Sequence, residues 1–234
     1  MEPASAVDAC TALLRGERSP EPRFAALIAA FAEEYGIEVV NVTTDATSVR
    51  GSSGRLNLWC RTAADRDAFR DASSNYDRAK QARASELVPG GPWFAYATDH
   101  SRELLVAFID AGVRACVGTA RELLGDDRVV RVDGAFGRLV AFVGTKAEAA
   151  ELRAAPVGSG SGTTGTGQTG TDGPRTGPAR SAHPLVQAWE TRLWAAFGEV
   201  RSPEFVPRDR FVLEVDSQEA YVDDYRGSGY SYWR

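Results

Sequence analysis

The sequence predicts an α+β protein built from two internally duplicated helix-strand-strand-helix units, whose strands form a mostly antiparallel sheet flanked by helices. One observation behind this prediction is an ungapped internal match between residues 54–73 and 137–156. The other is that a helix-like run closing on glycine precedes each copy. Internal repeats outrank local patterns in deciding an architecture. The matched positions are Gly54/Gly137, Arg55/Arg138, Leu56/Leu139, Thr62/Thr145, Ala64/Ala147, Arg70/Arg153 and Ala72/Ala155.

Hydrophobic periodicity predicts the individual elements of the two units, which span about residues 22–88 and 101–156. In the first unit an apolar stripe at helical spacing ends at Gly36, and a run of β-branched residues follows as a strand. The predicted elements in order are a helix over 5–14, a helix over 24–36, strands over 37–42 and 56–61, a helix over 63–87, a strand over 93–97, a helix over 101–124 that Gly112 interrupts, strands near 125–132 and 139–143, a helix over 184–197 that Gly198 ends, and a strand over 211–215.

Alternation along the matched strands predicts an outward-facing aromatic side chain in both copies, because successive side chains of a strand point to opposite faces. In the first copy, positions 56, 58 and 60 face the core and Trp59 faces outward. In the second copy, positions 139, 141 and 143 face the core and Phe142 faces outward. We therefore expect Trp59 and Phe142 to occupy equivalent places.

The pattern predicts one duplicated domain over residues 1–156 and a separate C-terminal region. Residues 157–181 are dominated by glycine, serine and threonine, which predicts a disordered linker. Residues 182–234 contain a helix, a strand and an acidic aromatic tail. This segment has two interpretations: a degenerate third unit docked on the main domain, or a segment that docks on a partner.

Charge and composition exclude several classes of function. The net charge of −5 and the pI near 5.2 argue against general binding to nucleic acids, which are polyanions. The sequence shows neither a secretory signal nor an apolar run long enough to span a membrane, so we expect a cytoplasmic protein without membrane association. Three cysteines at wide, unpatterned spacing predict buried thiols.

Few residues suggest chemistry. No P-loop, dinucleotide-binding, nucleophile-elbow or zinc-protease pattern occurs, and we expect no cofactor and no metal. Asp99 and His100 adjoin the start of a predicted helix, and a helix cap formed by Asp99 or Ser101 explains this pattern better than catalysis does. Thr62-x-x-Asp65 and Thr145-x-x-Glu148 are capping boxes that begin two helices.

The aromatic tail is the remaining candidate site. Tyr221, Tyr225, Tyr230, Tyr232 and Trp233 gather in a short glycine-broken segment, and aromatic side chains anchor many interfaces. The pattern fits an internal strap and a partner-binding motif equally well.

We therefore carry two functional hypotheses. The first is a non-enzymatic protein-binding module, in the broad class of adaptors, chaperone-like proteins and inhibitory partner proteins. Its candidate contact residues are Trp59, Phe142, Tyr225, Tyr230, Tyr232 and Trp233. The alternative is an enzyme with a site in a cleft between the repeats, for which Arg61, Asp99 and His100 are the candidates. The sequence identifies neither the partner, the reaction nor the oligomeric state.

Overall fold

The structure is a computed structural model that describes residues 3–47, 51–73, 76–154 and 181–233. The chain divides into two compact units, unit 1 (Met1–Ala107) and unit 2 (Phe108–Arg234). Each unit contains a three-stranded sheet packed with helices, which confirms the predicted α+β class. Among the described helices, none has the length and apolar character needed to cross a membrane.

In unit 1 the helices over 25–35 and 78–87 pack on one face of the sheet, and the helix over 3–14 contacts the first strand and places Ala6 beside side chains of the other face. Along the central strand the buried positions alternate as predicted, with Leu56 and Leu58 in the core and Asn57 and Trp59 on the other face. The elements in order are α1 (Pro3–Leu14), α2 (Ala25–Tyr35), β1 (Val39–Asp45), β2 (Gly54–Cys60), α3 (Ala63–Ala68), α4 (Arg78–Leu87), β3 (Trp93–Asp99) and the start of α5 (His100–Ala115).

Unit 2 repeats the order of helix, two strands, two helices and a strand. The central strand begins beside the second Gly-Arg-Leu stretch, as the central strand of unit 1 begins with the first. After α5 the elements are α6 (Ala120–Leu124), β4 (Val129–Ala135), β5 (Arg138–Val143), α7 (Lys146–Arg153), α8 (Pro184–Val200), β6 (Leu213–Ser217), α9 (Gln218–Tyr225) and α10 (Gly229–Tyr232). The duplication itself stays a prediction, which this shared order supports.

The prediction of a mostly antiparallel sheet is wrong in detail. The strands form two mixed sheets, ordered β1-β2-β3 and β4-β5-β6, in which the first pair is antiparallel and the second pair is parallel. The parallel pairs arise because two helices connect the second strand of each sheet to the third, and such a crossover returns the chain in the same direction. The antiparallel pairs carry a register shift at the same place, between Val39 and Asn41 and between Val129 and Arg131.

The observed units also differ from the predicted domains. The sequence placed both repeats in one domain over 1–156 and attached residues 182–234 as a separate segment. In the structure, β6 pairs along β5, so this C-terminal segment supplies the third strand of unit 2. The predicted linker, 157–181, lies outside the described residues except for Ser181.

Several helix boundaries differ from the predictions for local reasons. The predicted helix over 63–87 is two helices, because Phe69 turns into the core and Asp77 caps a new helix by accepting hydrogen bonds from Ala79 and Lys80. The long helix over 101–124 breaks near Gly118, which has a left-handed φ of 82°, and continues through Gly112 without interruption. Both predicted capping boxes, at Thr62 and Thr145, are confirmed.

Side chains close the outer edges of the two third strands. In unit 1 the Gln81 amide exchanges two hydrogen bonds with the backbone of Ala95, and the Ser85 hydroxyl does the same with Trp93 at 3.0 Å each. In unit 2 the Glu190 carboxylate accepts from the Leu213 amide at 3.1 Å, and the Arg153 guanidinium donates to the Val215 carbonyl at 2.8 Å. These bonds occupy backbone groups with which another strand would pair.

Gly112 provides a test of packing in unit 2. A Cβ atom at this position would overlap the fully buried ring of Phe197, whereas a Cβ at Gly198, also inside a helix, would meet only Pro203 at 3.8 Å. We expect Gly112→Ala to lower the free energy of unfolding by about 1–3 kcal/mol, because overpacking outweighs the gain in helix propensity.

Gly198→Ala is the matched control. It should leave stability unchanged or raise it by up to about 1 kcal/mol, because alanine favours a helix interior. Urea unfolding of the intact chain measures both changes. Equal effects of the two substitutions would contradict the packing argument.

Candidate functional site

The face of the unit 1 sheet opposite the core carries polar and aromatic side chains. Arg55, Asn57 and Trp59 project from the central strand, and all three are partly exposed. The register places Tyr96 opposite Asn57 and Thr98 opposite Trp59 on the neighbouring strand. This face is the floor of a cleft of about 420 Å³, which we call the unit 1 cleft.

An ionic network fixes one end of the unit 1 cleft. The Asp45 carboxylate accepts hydrogen bonds from the Arg55 guanidinium at 2.9 Å, the Asn57 amide at 3.0 Å and the Thr47 backbone amide at 2.9 Å. Burial alone would raise the pKa of the Asp45 carboxyl, but the hydrogen bonds from Asn57, Thr47 and Arg55 outweigh burial and lower it to about 2. The Asp45 carboxylate is therefore charged at neutral pH.

Two aromatic rings line the same cleft. The Trp59 indole donates to the Thr43 hydroxyl at 3.3 Å, which orients the ring on the sheet. The Tyr96 side chain is 40% exposed, and the Arg55 guanidinium lies 5.4 Å from its ring centroid. These contacts present two flat apolar surfaces beside polar groups, a combination that suits a binding site.

Glu103 is the least satisfied charge of the unit 1 cleft. Three carboxylates and two arginines line it, and both arginines already pair with carboxylates: Arg23 with Glu21 at 2.8 Å and Arg55 with Asp45 at 2.8 Å. The Glu103 carboxylate forms no hydrogen bond or ion pair with any of the residues that the structure describes. It therefore contributes one uncompensated negative charge.

The corresponding face of unit 2 is covered. Phe142 lies on the side of β5 opposite Leu139, as predicted, but the expectation that it faces outward is wrong because the ring is fully buried. Tyr221 and Tyr232, from the segment after β6, lie with their ring centroids 5.7 Å and 5.3 Å from that of Phe142. Lys146 holds this segment through its backbone amide, which donates to the Glu219 carboxylate at 2.8 Å.

The tail residues make most of their described contacts within unit 2. The Tyr232 hydroxyl donates to the Asp216 carboxylate at 2.9 Å, and the Trp233 ring centroid lies 5.6 Å from the Arg138 guanidinium. Tyr225 is 37% exposed and contacts the Tyr232 ring. The side chain of Tyr230 lies outside the described residues. These contacts favour the interpretation of the tail as an internal strap.

A second cleft, of about 650 Å³, lies in unit 2 beside β6. Its charged groups are largely paired with each other: Arg138 with Glu214 at 2.7 Å and Arg153 with Asp216 at 2.6 Å. Ser181 forms part of its wall, at the point where the described chain resumes.

The three residues of the enzyme hypothesis are not brought together as a reactive group. Arg61 is exposed and pairs with Glu38 at 2.7 Å. Asp99 is buried and accepts from the Ser101 hydroxyl at 2.6 Å and the Arg102 amide at 3.2 Å, as a helix cap does. Both nitrogens of the His100 ring are buried without a hydrogen-bond partner among the described residues.

The thiols and the potential metal ligands of the described residues were the other candidates for reactive chemistry. All three cysteines are free and buried, which confirms the prediction, and burial raises the pKa of the Cys10 and Cys60 thiols to about 12. A thiol with so high a pKa is a poor nucleophile at neutral pH. Within the described ranges, no group of three or more potential metal-ligating side chains occurs.

Sequence reasoning identified Trp59 but missed its neighbours in the unit 1 cleft. Tyr96 lies in a strand that the sequence predicts over 93–97, and alternation assigns its side chain to one face of that strand. The sequence does not show which strand pairs with this one, so it could not place Tyr96 beside Trp59. Asp45 and Glu103 carry no local signal, because the first lies at the end of a strand and the second in the first turn of α5.

Substitutions of Tyr232 test how much the internal strap contributes to the stability of unit 2. We expect Tyr232→Ala to lower the free energy of unfolding by about 2–3 kcal/mol, because it removes buried aromatic area and uncovers Phe142. Tyr232→Phe should cost about 1 kcal/mol, since only the hydrogen bond to Asp216 is lost. Tyr225→Ala is the control and should cost less than about 1 kcal/mol, as befits a partly exposed ring. Chemical unfolding in urea gives the three values, and a neutral Tyr232→Ala would contradict the strap.

The burial of His100 predicts that the free energy of unfolding depends on pH. Burial lowers its pKa from 6.5 to about 4, although the neighbouring Asp99 charge opposes the shift. Below pH 6.5 the unfolded chain therefore binds a proton that the folded chain does not, and stability falls as the pH drops towards 4. The loss should reach about 2 kcal/mol at pH 5.

The measurement is urea unfolding at pH 7 and pH 5. His100→Leu should lose less stability between these values than the unsubstituted chain does. His183→Asn, at the other histidine, keeps a side chain that can cap α8 and should show the unsubstituted pH dependence. An identical pH dependence in His100→Leu would contradict the assignment.

The two sheets thus carry aromatic side chains at equivalent register positions, Trp59 in unit 1 and Phe142 in unit 2. The first lines an open cleft, and the second is buried under the segment that follows β6. The chain matches no protein-family model, no curated protein and no solved structure.

Proposed function

We propose that the protein is a non-enzymatic protein-binding module that binds its partner through the unit 1 cleft. One observation carries the proposal: on the outer sheet face of unit 1 two aromatic side chains line a cleft and remain partly exposed, whereas the equivalent face in unit 2 is covered by the chain's own aromatic segment. The way in which unit 2 is covered indicates how a partner would cover unit 1. An adaptor, a chaperone-like protein and an inhibitory partner protein all fit this mode of binding.

The chemistry of the cleft supports recognition of a protein segment. Trp59 and Tyr96 are the residue types that most often dominate the energy of protein interfaces, because each offers a large contact area at a low cost in side-chain entropy. The surrounding polar groups of Thr43, Asn57 and Thr98 offer donors and acceptors for a peptide backbone. Since side chains close the outer edge of β3, binding by strand addition at that edge is disfavoured.

The test compares capture of partner proteins from an extract of the source organism by three forms of the full chain. The cleft variant combines Trp59→Ala and Tyr96→Ala. The control is Phe136→Ala, which removes an aromatic side chain that is 69% exposed and lies in unit 2, outside the cleft. Circular dichroism and thermal unfolding must show that all three forms are folded.

We expect a protein that is retained by the unsubstituted chain and by Phe136→Ala, and lost from the cleft variant. Removing two anchoring rings should weaken binding by roughly a hundredfold or more, which reduces capture below detection. A retained protein that binds the cleft variant equally well would show that the cleft is not the binding surface. Capture of no protein by any form would count against the proposed function.

A further inference from the structure

Unit 2 places one of its own arginines on the aromatic ring of its outer face. Arg131 and Phe142 are paired in the register of β4 and β5. The Arg131 guanidinium lies 4.3 Å from the Phe142 ring centroid and 4.5 Å from that of Tyr221, so it is held between two rings. Its charge is balanced by the Asp133 carboxylate at 2.8 Å. The closed face therefore contains a cation, aromatic rings and an acid.

At the position equivalent to Arg131, unit 1 has no cation. The residue paired with Trp59 in the register is Asn41, which has no charge and whose side-chain oxygen accepts from the Val42 amide at 2.9 Å. Among the described residues, no arginine or lysine lies over the Trp59 ring. The Arg55 guanidinium is already committed to Asp45 and to the Tyr96 ring.

The carboxylate that would balance an incoming cation is also present. Glu103 lines the unit 1 cleft with Trp59 and Tyr96 and has no partner among the described residues. A cation over an aromatic face gains free energy from the ring quadrupole, and a carboxylate beside it adds a charge-assisted hydrogen bond. The net charge of −5 for the whole chain attracts a basic partner as well.

We infer that the unit 1 cleft receives an arginine side chain from a basic segment of the partner protein. The guanidinium stacks on the Trp59 ring and pairs with Glu103, in the way that Arg131 stacks on Phe142 and pairs with Asp133 in unit 2. Arginine fits better than lysine, because its planar group stacks on rings and donates to a carboxylate at the same time. This inference rests on the proposed function and names the chemistry of the segment that the cleft recognises.

The experiment uses the full chain and three short fluorescein-labelled peptides, in which glycine alternates with arginine, lysine or glutamine. Fluorescence anisotropy measures binding of each peptide. We expect saturable binding of the arginine peptide, weaker binding of the lysine peptide and none of the glutamine peptide. Trp59→Ala and Glu103→Gln should each weaken binding of the arginine peptide by roughly fivefold to thirtyfold.

Glu33→Gln is the matched control for charge. Glu33 is exposed on α2 and does not line the cleft, so its substitution changes the net charge by the same amount as Glu103→Gln does. We expect binding to Glu33→Gln to match that of the unsubstituted chain. Equal weakening by both substitutions would show that only the overall charge attracts the peptide, which would overturn the inference.

The outcome also separates this inference from the proposed function. If the captured partner is lost from the cleft variant but the arginine peptide does not bind, or binds Glu103→Gln unchanged, the arginine assignment is wrong and the binding surface stands. If capture of the partner does not depend on Trp59 and Tyr96, the proposed function is contradicted, whatever the peptides show. If the arginine peptide binds at Trp59 and Glu103 and displaces the captured partner, both proposals are supported.

Discussion

A β-strand presents alternate side chains to opposite faces of its sheet, so the sheet of each unit has a second face besides the one that packs on the core. In unit 1 the core side of β2 packs against α2, Phe69 and α4, while Arg55, Asn57 and Trp59 point the other way. A face of this kind must be polar, covered by another segment, or bound to a partner. The two units meet this constraint differently, and the functional proposal depends on that difference.

Unit 2 covers this face with a segment of its own chain. The segment after β6 covers Phe142 with Tyr221 and Tyr232 and brings Arg131 between aromatic rings. Unit 1 has no such segment after β3, because the chain continues there into α5 and on to unit 2. The unit 1 cleft contains two aromatic rings, the paired Asp45 and Arg55, and the Glu103 carboxylate, which has no partner among the residues that the structure describes. In the proposed complex, a basic segment of another protein binds to these aromatic rings and covers the outer face of unit 1.

Several groups that could take part in chemistry are buried or serve as a helix cap in the part of the chain that the structure describes. The buried cysteines have raised pKa values, Asp99 caps α5, and His100 is held neutral in the core. Side-chain hydrogen bonds occupy backbone groups of the edge strands β3 and β6, which disfavours pairing with another chain at these two edges. These features leave the outer face of unit 1 as the surface with the clearest capacity for recognition.

The sequence by itself determined the features that depend on neighbouring residues. The alternation of Leu56, Leu58 and Cys60, the caps at Thr62 and Thr145 and the α+β class follow from local periodicity and local hydrogen bonds. Only the tertiary structure decided the parallel pairing of β3 and β6, the division of the chain near residue 107, the burial of Phe142 and the meeting of Trp59, Tyr96 and Glu103 in one cleft. Each of these requires contacts between residues far apart in the chain, and the same local pattern that places a ring on the outer face of a strand cannot say whether a distant segment will cover it.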